Sequence, residues 1–189
     1  MNNVLVKTFY LTSPSNFGEF SIAWVMKAGQ PRILRLTLPG KQHQLEVALR
    51  EDHPQSVKGD HPEMVGLAGD IRRYLDGKDI RFELRWLAWE VCTPFQARVL
   101  RAEFDIPRGW VSTYGRVARY LSVPGGSRAV GNALAANPFP LLIPCHRAVR
   151  STGELGGFQG GVEMKKALLE MEGVAFRSTT KVSLDRIYY

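Results

Sequence analysis

The residues best suited to chemistry lie in Ile143-Pro144-Cys145-His146-Arg147, where one cysteine stands beside a histidine and an arginine. A thiol attacks as its thiolate and neighbouring cations favour that form, so the pattern predicts a sulfur nucleophile at Cys145, activated by His146 and Arg147. Pro144 pushes Ile143 into extended backbone and presents the next residues from a loop. Successive side chains on extended backbone point apart, so a bridging water is expected to carry the proton from Cys145 to His146. Cys92 has no basic neighbour and reads as structural. A small buried hydrophobe remains the alternative for any single free cysteine, and the local pattern alone leaves the two readings level.

Three helices lead up to this segment. Thr93, Pro94 and Gln96 spell a capping box before a helix whose Phe95, Val99, Ala102 and Ile106 share a face, closed by Pro107. Thr113 caps a second helix, with Tyr114, Val117, Ala118 and Leu121 on one side; Pro124-Gly125-Gly126 makes a turn, and Ser127 caps a third helix running to Ala136. That is helix-turn-helix spacing. In the third helix Ala129, Gly131, Ala133, Ala135 and Ala136 leave little bulk around Arg128 and Asn132, which permits close approach of another helix or of a narrow DNA groove. After the cysteine, residues 153–161 are studded with glycine but lack the Gly-Lys-Ser/Thr of a phosphate-binding loop; such glycines let backbone approach a planar ligand. A last helix over 162–172 turns Met164, Leu168 and Met171 inward, with Gly173 just past its end. Glu172 in its final turn opposes the helix dipole and calls for a compensating partner.

The N-terminal part reads as a small antiparallel sheet with helical cover. Strands are expected at 4–11, 17–26 and 33–38, with a turn at Ala28-Gly29-Gln30-Pro31, a loop over 53–61 and a further strand at 80–84. From Pro62, the residues Met64, Leu67, Ile71 and Leu75 fall at helical spacing, ended by Gly77. The fold class is α+β, divided into residues 1–90, 91–177 and a loosely attached tail, 178–189. His43, His53 and His61 stand without a cysteine and do not make a zinc site.

Charge is uneven: residues 1–90 carry +1 and residues 91–189 carry +6 of the total +7, so the part holding Cys145 is the basic part. Clustered positive charge is the footprint of a nucleic-acid binder, although a solvated basic face also produces it. A hydrophobic content of 44% excludes the disordered class. There is no apolar run fit to cross a membrane and no signal peptide, and two cysteines make no disulfide framework. These features lead us to expect a reducing compartment, the cytoplasm, or the nucleus if the source is eukaryotic.

Taken together, Arg128-Ala129-Val130-Gly131, Asn137-Pro138, Ile143-Pro144-Cys145-His146-Arg147, Gly160-Gly161, Lys165 and Leu168-Leu169 through Glu172-Gly173 closely resemble the active-site domain of O6-alkylguanine-DNA alkyltransferases, over half the chain. The resemblance implies a ribonuclease H-like N-terminal domain and a winged-helix-like C-terminal one. It implies a monomer that needs no cofactor or metal and moves an alkyl group from O6 of guanine, and also from O4 of thymine, in double-stranded DNA to Cys145. In that family His146, oriented by Glu172, would take the thiol proton, Asn137 would fix the turn beneath the sulfur, and the Tyr114 hydroxyl would stabilise the departing guanine. Ser127, Arg128, Ala129, Asn132 and Ala135 would face DNA, with Tyr114 pushing on a phosphate and Arg128 filling the gap left by the flipped base. Arg147, Ala148, Phe158, Gln159 and Gly160 would form the pocket, the backbone at Ala148 and Gln159 reading the base. The family carries valine where Ala148 stands and tyrosine where Phe158 stands, so the pocket here has less packing and lacks a hydroxyl. The zinc site of some members needs cysteines that this N-terminal part does not have. Two other readings use parts of the pattern: a thiol hydrolase built on Cys145, His146 and Glu172, and a helix-turn-helix regulator that leaves those residues idle.

Overall fold

The computed structural model describes residues 7–39 and 55–189. The start of the first expected strand, together with His43 and His53, lies outside the described residues. The chain divides into two compact units, Met1–Val91 and Cys92–Tyr189. It has α+β content.

In the first unit four strands, β1 (Thr8–Ser13), β2 (Phe20–Lys27), β3 (Gln30–Thr37) and β4 (Val57–Lys58), form one sheet in the order β3-β2-β1-β4. The first three pair antiparallel. The sheet is nevertheless mixed, not antiparallel as expected, because β4 runs parallel to β1 with Val57 opposite Phe9. Two residues suffice for that edge, too few for any alternation to show within a segment read as a loop. Ala28 and Gly29 both take positive φ, 50° and 76°, which gives the two-residue hairpin turn whose twist matches the strands it joins. Helix α1 (Pro62–Leu75) buries Met64, Leu67, Ile71, Tyr74 and Leu75. The expected strand at 80–84 does not form. Phe82 is the one buried side chain there, tilted against Tyr74 at 5.5 Å, and the chain passes into a 3-10 turn over Leu84–Trp86. One anchored aromatic between charged neighbours had imitated strand alternation.

The second unit is built from α2 (Pro94–Phe104), α3 (Tyr114–Tyr120), α4 (Ser127–Ala135) and α5 (Gly161–Met171). Thr93 Oγ1 accepts from the Gln96 amide at 3.2 Å, which is half of the expected capping box. The other half is absent: the Gln96 side chain crosses to the end of α4 and donates to the carbonyls of Ala133 and Ala136 at 3.2 and 2.9 Å. Carbonyls at a helix C-terminus have no partner within the helix, so Gln96 ties α2 to α4 by satisfying them. Ser127 is the first residue of α4, not its cap. Gly126 takes the cap position, because a Cβ there would meet Val123 Cγ1 at 2.7 Å in the tight turn. Helix α4 turns Val130, Ala133 and Leu134 inward and leaves Ser127, Arg128, Ala129, Asn132 and Ala135 exposed.

Short strands fasten the loops around the cysteine. β5 (Ser112–Thr113) runs parallel to β6 (Ala148–Val149), which joins the entry of α3 to the residues following Arg147. β7 (Phe176–Ser178) and β8 (Lys181–Val182) form a hairpin. Val182 packs with Val111, Val149, Leu155, Leu169 and Val174. The tail is not loosely attached. The Val111 amide donates to Arg186 O at 3.1 Å, the Tyr188 amide donates to Val111 O at 2.8 Å, and the Tyr189 hydroxyl reaches Ala102 O at 2.9 Å. With no motif or apolar stripe of its own, the tail shows these backbone bonds only once folded. Deleting residues 186–189 should therefore cost about 2 kcal/mol of stability and speed exchange of the Val111 amide with solvent. Hydrogen exchange measures this directly, and an amide that stays protected after the deletion would contradict the docking.

Candidate active site

Residues 141–149 are all buried, and within them Cys145–Arg147 form a 3-10 turn rather than extended chain. Leu141, at φ 69°, and the bond from the Ile143 amide to Phe139 O at 2.8 Å curl the chain into a compact loop. Asn137 braces it from inside: Oδ1 accepts from the Phe139 amide at 2.9 Å, and Nδ2 donates to Ile143 O at 3.3 Å. The same side chain hydrogen-bonds the Cys145 sulfur.

Two residues beyond the cysteine, the turn is clamped to the end of α5. Glu172 Oε1 lies 3.1 Å from His146 Nε2 and accepts from Arg147 Nη2 at 2.7 Å, while Oε2 accepts from Arg147 Nε at 2.9 Å. Arg147 Nη1 also donates to Ile106 O at 2.6 Å. The carboxylate that opposes its helix dipole thus has two partners. Burial would raise the Glu172 carboxyl, but His146 and Arg147 outweigh it and hold the group well below the usual carboxylate range. An ionised Glu172 accepts, so the proton of His146 sits on Nε2 and the basic nitrogen is Nδ1.

The electrostatics differ from the activation expected on the sequence. Burial pushes the Cys145 thiol up to about 11, against the opposing bond from Asn137. Burial also lowers His146 below its ordinary value despite Glu172, so at neutral pH it is an imidazole rather than a cation. Arg147 spends its charge on Glu172. The resting state is a thiol beside a neutral base, and the cation that does favour the thiolate is Lys165, which the sequence placed only within a family pattern. Lys165 is fully buried, its Nζ donating to Ala148 O at 2.6 Å and Gly157 O at 3.3 Å. Glu103 is also fully buried and acts on the same sulfur. Each shows one signal in the sequence, a charged residue set into the apolar stripe of its helix: Val99, Leu100 and Ala102 around Glu103, Met164, Leu168 and Leu169 around Lys165.

Cys145 lies at a cavity of about 280 Å³ lined also by Tyr114, Gly131, Leu134, Ala135, Gly157, Phe158 and Gln159. Gly156 lets the Tyr114 hydroxyl in, since a Cβ there would lie 2.8 Å from it. Phe158 meets the His146 ring edge-on at 6.1 Å. The Gln159 side chain closes one wall by donating to Ala135 O and Asn137 O at 2.9 and 2.7 Å. Of the residues expected to form the pocket, Phe158 and Gln159 line it and three do not. Arg147 points to Glu172, the Ala148 carbonyl is taken by Lys165, and Gly160 caps α5. Ala135 of the exposed α4 face reaches the rim, so that face and the cavity are continuous; Arg128 stands on the same face, outside the cavity lining. The arrangement offers a buried thiol at a cavity, a neutral imidazole held by a carboxylate, and a slot for a flat or alkyl group.

Residues 94–174 match the family model described as 6-O-methylguanine DNA methyltransferase, DNA binding domain. A methylated-DNA–protein-cysteine methyltransferase of Methanothermobacter thermautotrophicus is 50% identical over 109 residues, which is 58% of this chain and 61% of that relative's length. Among solved structures, Mycobacterium tuberculosis O6-methylguanine methyltransferase is 30% identical over 87% of this chain and 92% of its own, with a TM-score of 0.67. The mycobacterial protein in complex with DNA matches at 29% identity, the same two coverages and a TM-score of 0.67. With a buried Cys145, His146 and Glu172 assembled as above and a solved relative matched over nearly its whole length, this chain belongs to the O6-methylguanine-DNA methyltransferase family.

Proposed function

We propose that this protein repairs alkylated DNA by moving an alkyl group, foremost methyl, from O6 of guanine, and also from O4 of thymine, onto Cys145. The observation that carries the reading is a single buried thiol reached through a narrow cavity whose rim is an exposed face of small residues on α4. A base held in a duplex cannot present O6 to such a sulfur, so it must be extruded into the cavity. Helix α4, with α3 before it, acts as a helix-turn-helix that enters the minor groove. Ser127, Ala129, Asn132 and Ala135 lie along the groove, and Arg128 stacks into the gap, its guanidinium plane and charge suiting bases and phosphates alike. The mycobacterial relative is solved in complex with DNA, which supports DNA as the partner. The N-terminal unit is read as ribonuclease H-like and the C-terminal one as winged-helix-like. The protein acts as a monomer, where the cell's DNA is, in the cytoplasm or a eukaryotic nucleus.

A thiol held up to about 11 does not ionise by itself at neutral pH, so a base must take its proton as the sulfur attacks. His146 Nδ1 is that base. Side chains one apart in a 3-10 turn are splayed by about 120°, so a bridging water still relays the proton. Glu172 stabilises the imidazolium that results. The sulfur lone pair forms the bond to the alkyl carbon, the bond from that carbon to O6 breaks, and its electrons pass to guanine, where the Tyr114 hydroxyl meets the growing charge. The proton taken from the thiol passes from the His146 imidazolium to the departing guanine, which leaves His146 neutral again. No cofactor or metal takes part in this balance.

The product is a thioether, which cannot ionise and offers water no acyl carbon to attack. With excess methylated duplex, transfer should therefore stop at one group per molecule, in a burst equal to protein concentration. Sustained turnover with the thiol still free would instead establish a hydrolase. Arg128→Ala should slow repair of a duplex roughly tenfold or more while leaving reaction with free O6-benzylguanine little changed, because a stack has to be replaced only in DNA. Equal slowing of both, in parallel rate measurements, would make Arg128 a packing residue.

A further inference from the structure

Glu103 has no part in the chemistry above, yet it is one of the least expected side chains in the protein. It is fully buried on α2, and neither carboxyl oxygen has a hydrogen-bond partner. An ionised carboxylate in that position would be costly, and such a group responds by staying protonated. Helix α2 packs against the Cys145–Arg147 turn and against α3 and α4. The charged and titratable groups that act on Glu103, or on which it acts, are Lys165 from α5, Arg147 and Cys145 from the turn, and Tyr114 from α3. Arg147 is committed to Glu172. Lys165 is held by two neutral carbonyls, so its charge is available to either of two potential anions, the Glu103 carboxylate or the Cys145 thiolate.

We propose that Glu103 is a positioning residue for the alkyl transfer inferred above, acting on Cys145 in company with Lys165: as a neutral acid it leaves the ammonium to the thiolate, and as a carboxylate it competes for that ammonium and opposes the thiolate. The proposal rests on Cys145 being the nucleophile. Burial holds the Glu103 carboxyl up to about 8 in spite of Lys165 and Arg147, and burial lowers Lys165 to about 8, opposed by Cys145 and Glu103. Well below that pH the pair carries one positive charge; well above it each group has lost its proton and the pair carries one negative charge. The Glu103 carboxylate opposes the thiolate, whereas the Lys165 ammonium favours it. Removing the carboxylate therefore helps Cys145 ionise at alkaline pH, even where Lys165 has lost its own proton.

The test is alkylation of Cys145 by iodoacetamide between pH 6 and pH 9, read by peptide mass so that Cys92 is counted apart. The rate for Glu103→Gln relative to the unsubstituted protein should climb at least roughly threefold across that range, since a neighbouring charge commonly shifts a thiol by a substantial fraction of a pKa unit. Glu103→Leu, neutral and compatible with an apolar setting, should show the same climb, and the unsubstituted protein should show a break near pH 8. A rate ratio constant with pH would mean that Glu103 only packs, and would overturn the proposal. The reagent needs no DNA, so a protein that passes this test and fails to take a methyl group from a duplex would refute the repair function and leave the role of Glu103 standing.

Discussion

The Glu172 carboxylate accepts from both residues that follow Cys145, and the position of the sulfur follows from that contact. Because the carboxylate is ionised, it fixes the histidine tautomer, and because it also takes the arginine it ties the turn to the end of α5. A buried ion pair of this kind is a weak source of net stability, since desolvation offsets much of the attraction. Its value lies in geometry. Breaking it leaves a charge stranded in the interior, so the turn has one arrangement that satisfies all three groups. Asn137 repeats the logic from the other side, bonding the backbone on either side of the loop and the sulfur within it.

The site accepts a cost in order to bury the sulfur. A thiol so enclosed resists ionisation, and the groups that lean the other way, Asn137 and Lys165, only partly offset burial. Displacement at an alkyl carbon suits such a site, because the charge needed on sulfur is transient and the product is neutral. An enzyme that had to regenerate its thiol would need water where this pocket has Phe158, Leu134 and Tyr114. The same burial explains why His146 is neutral and why Glu103 and Lys165 are displaced from their ordinary values.

Much of this was legible in the residues. A cysteine-histidine pair and a misplaced helix-end carboxylate are local signals that mark Cys145, His146 and Glu172, but only the longer family pattern joins them into one set; the small residues of α4 are legible directly. Other features were hidden for physical reasons. Arg147 looked like a pocket residue because adjacency in sequence does not reveal direction, and in a 3-10 turn its side chain leaves the cavity for Glu172. Gln96 satisfied a capping pattern locally but found better acceptors at the end of α4, a long-range bond that no local rule contains. β4 and the docked tail owe their structure to partners far away in the chain. Glu103 and Lys165 did leave a trace, each a charge inside an apolar stripe, and such a misfit marks a place where burial has changed a group's chemistry.

The central claim is that the buried Cys145 sulfur ends the reaction covalently joined to the alkyl group. It is tested most directly by the mass of the intact protein, followed by peptide mapping, after mixing with an equimolar duplex containing O6-methylguanine. One added methyl group, carried by the Cys145 peptide and absent from Cys92, is the expected result. Protein of unchanged mass, or a methyl group found on Cys92, would contradict it.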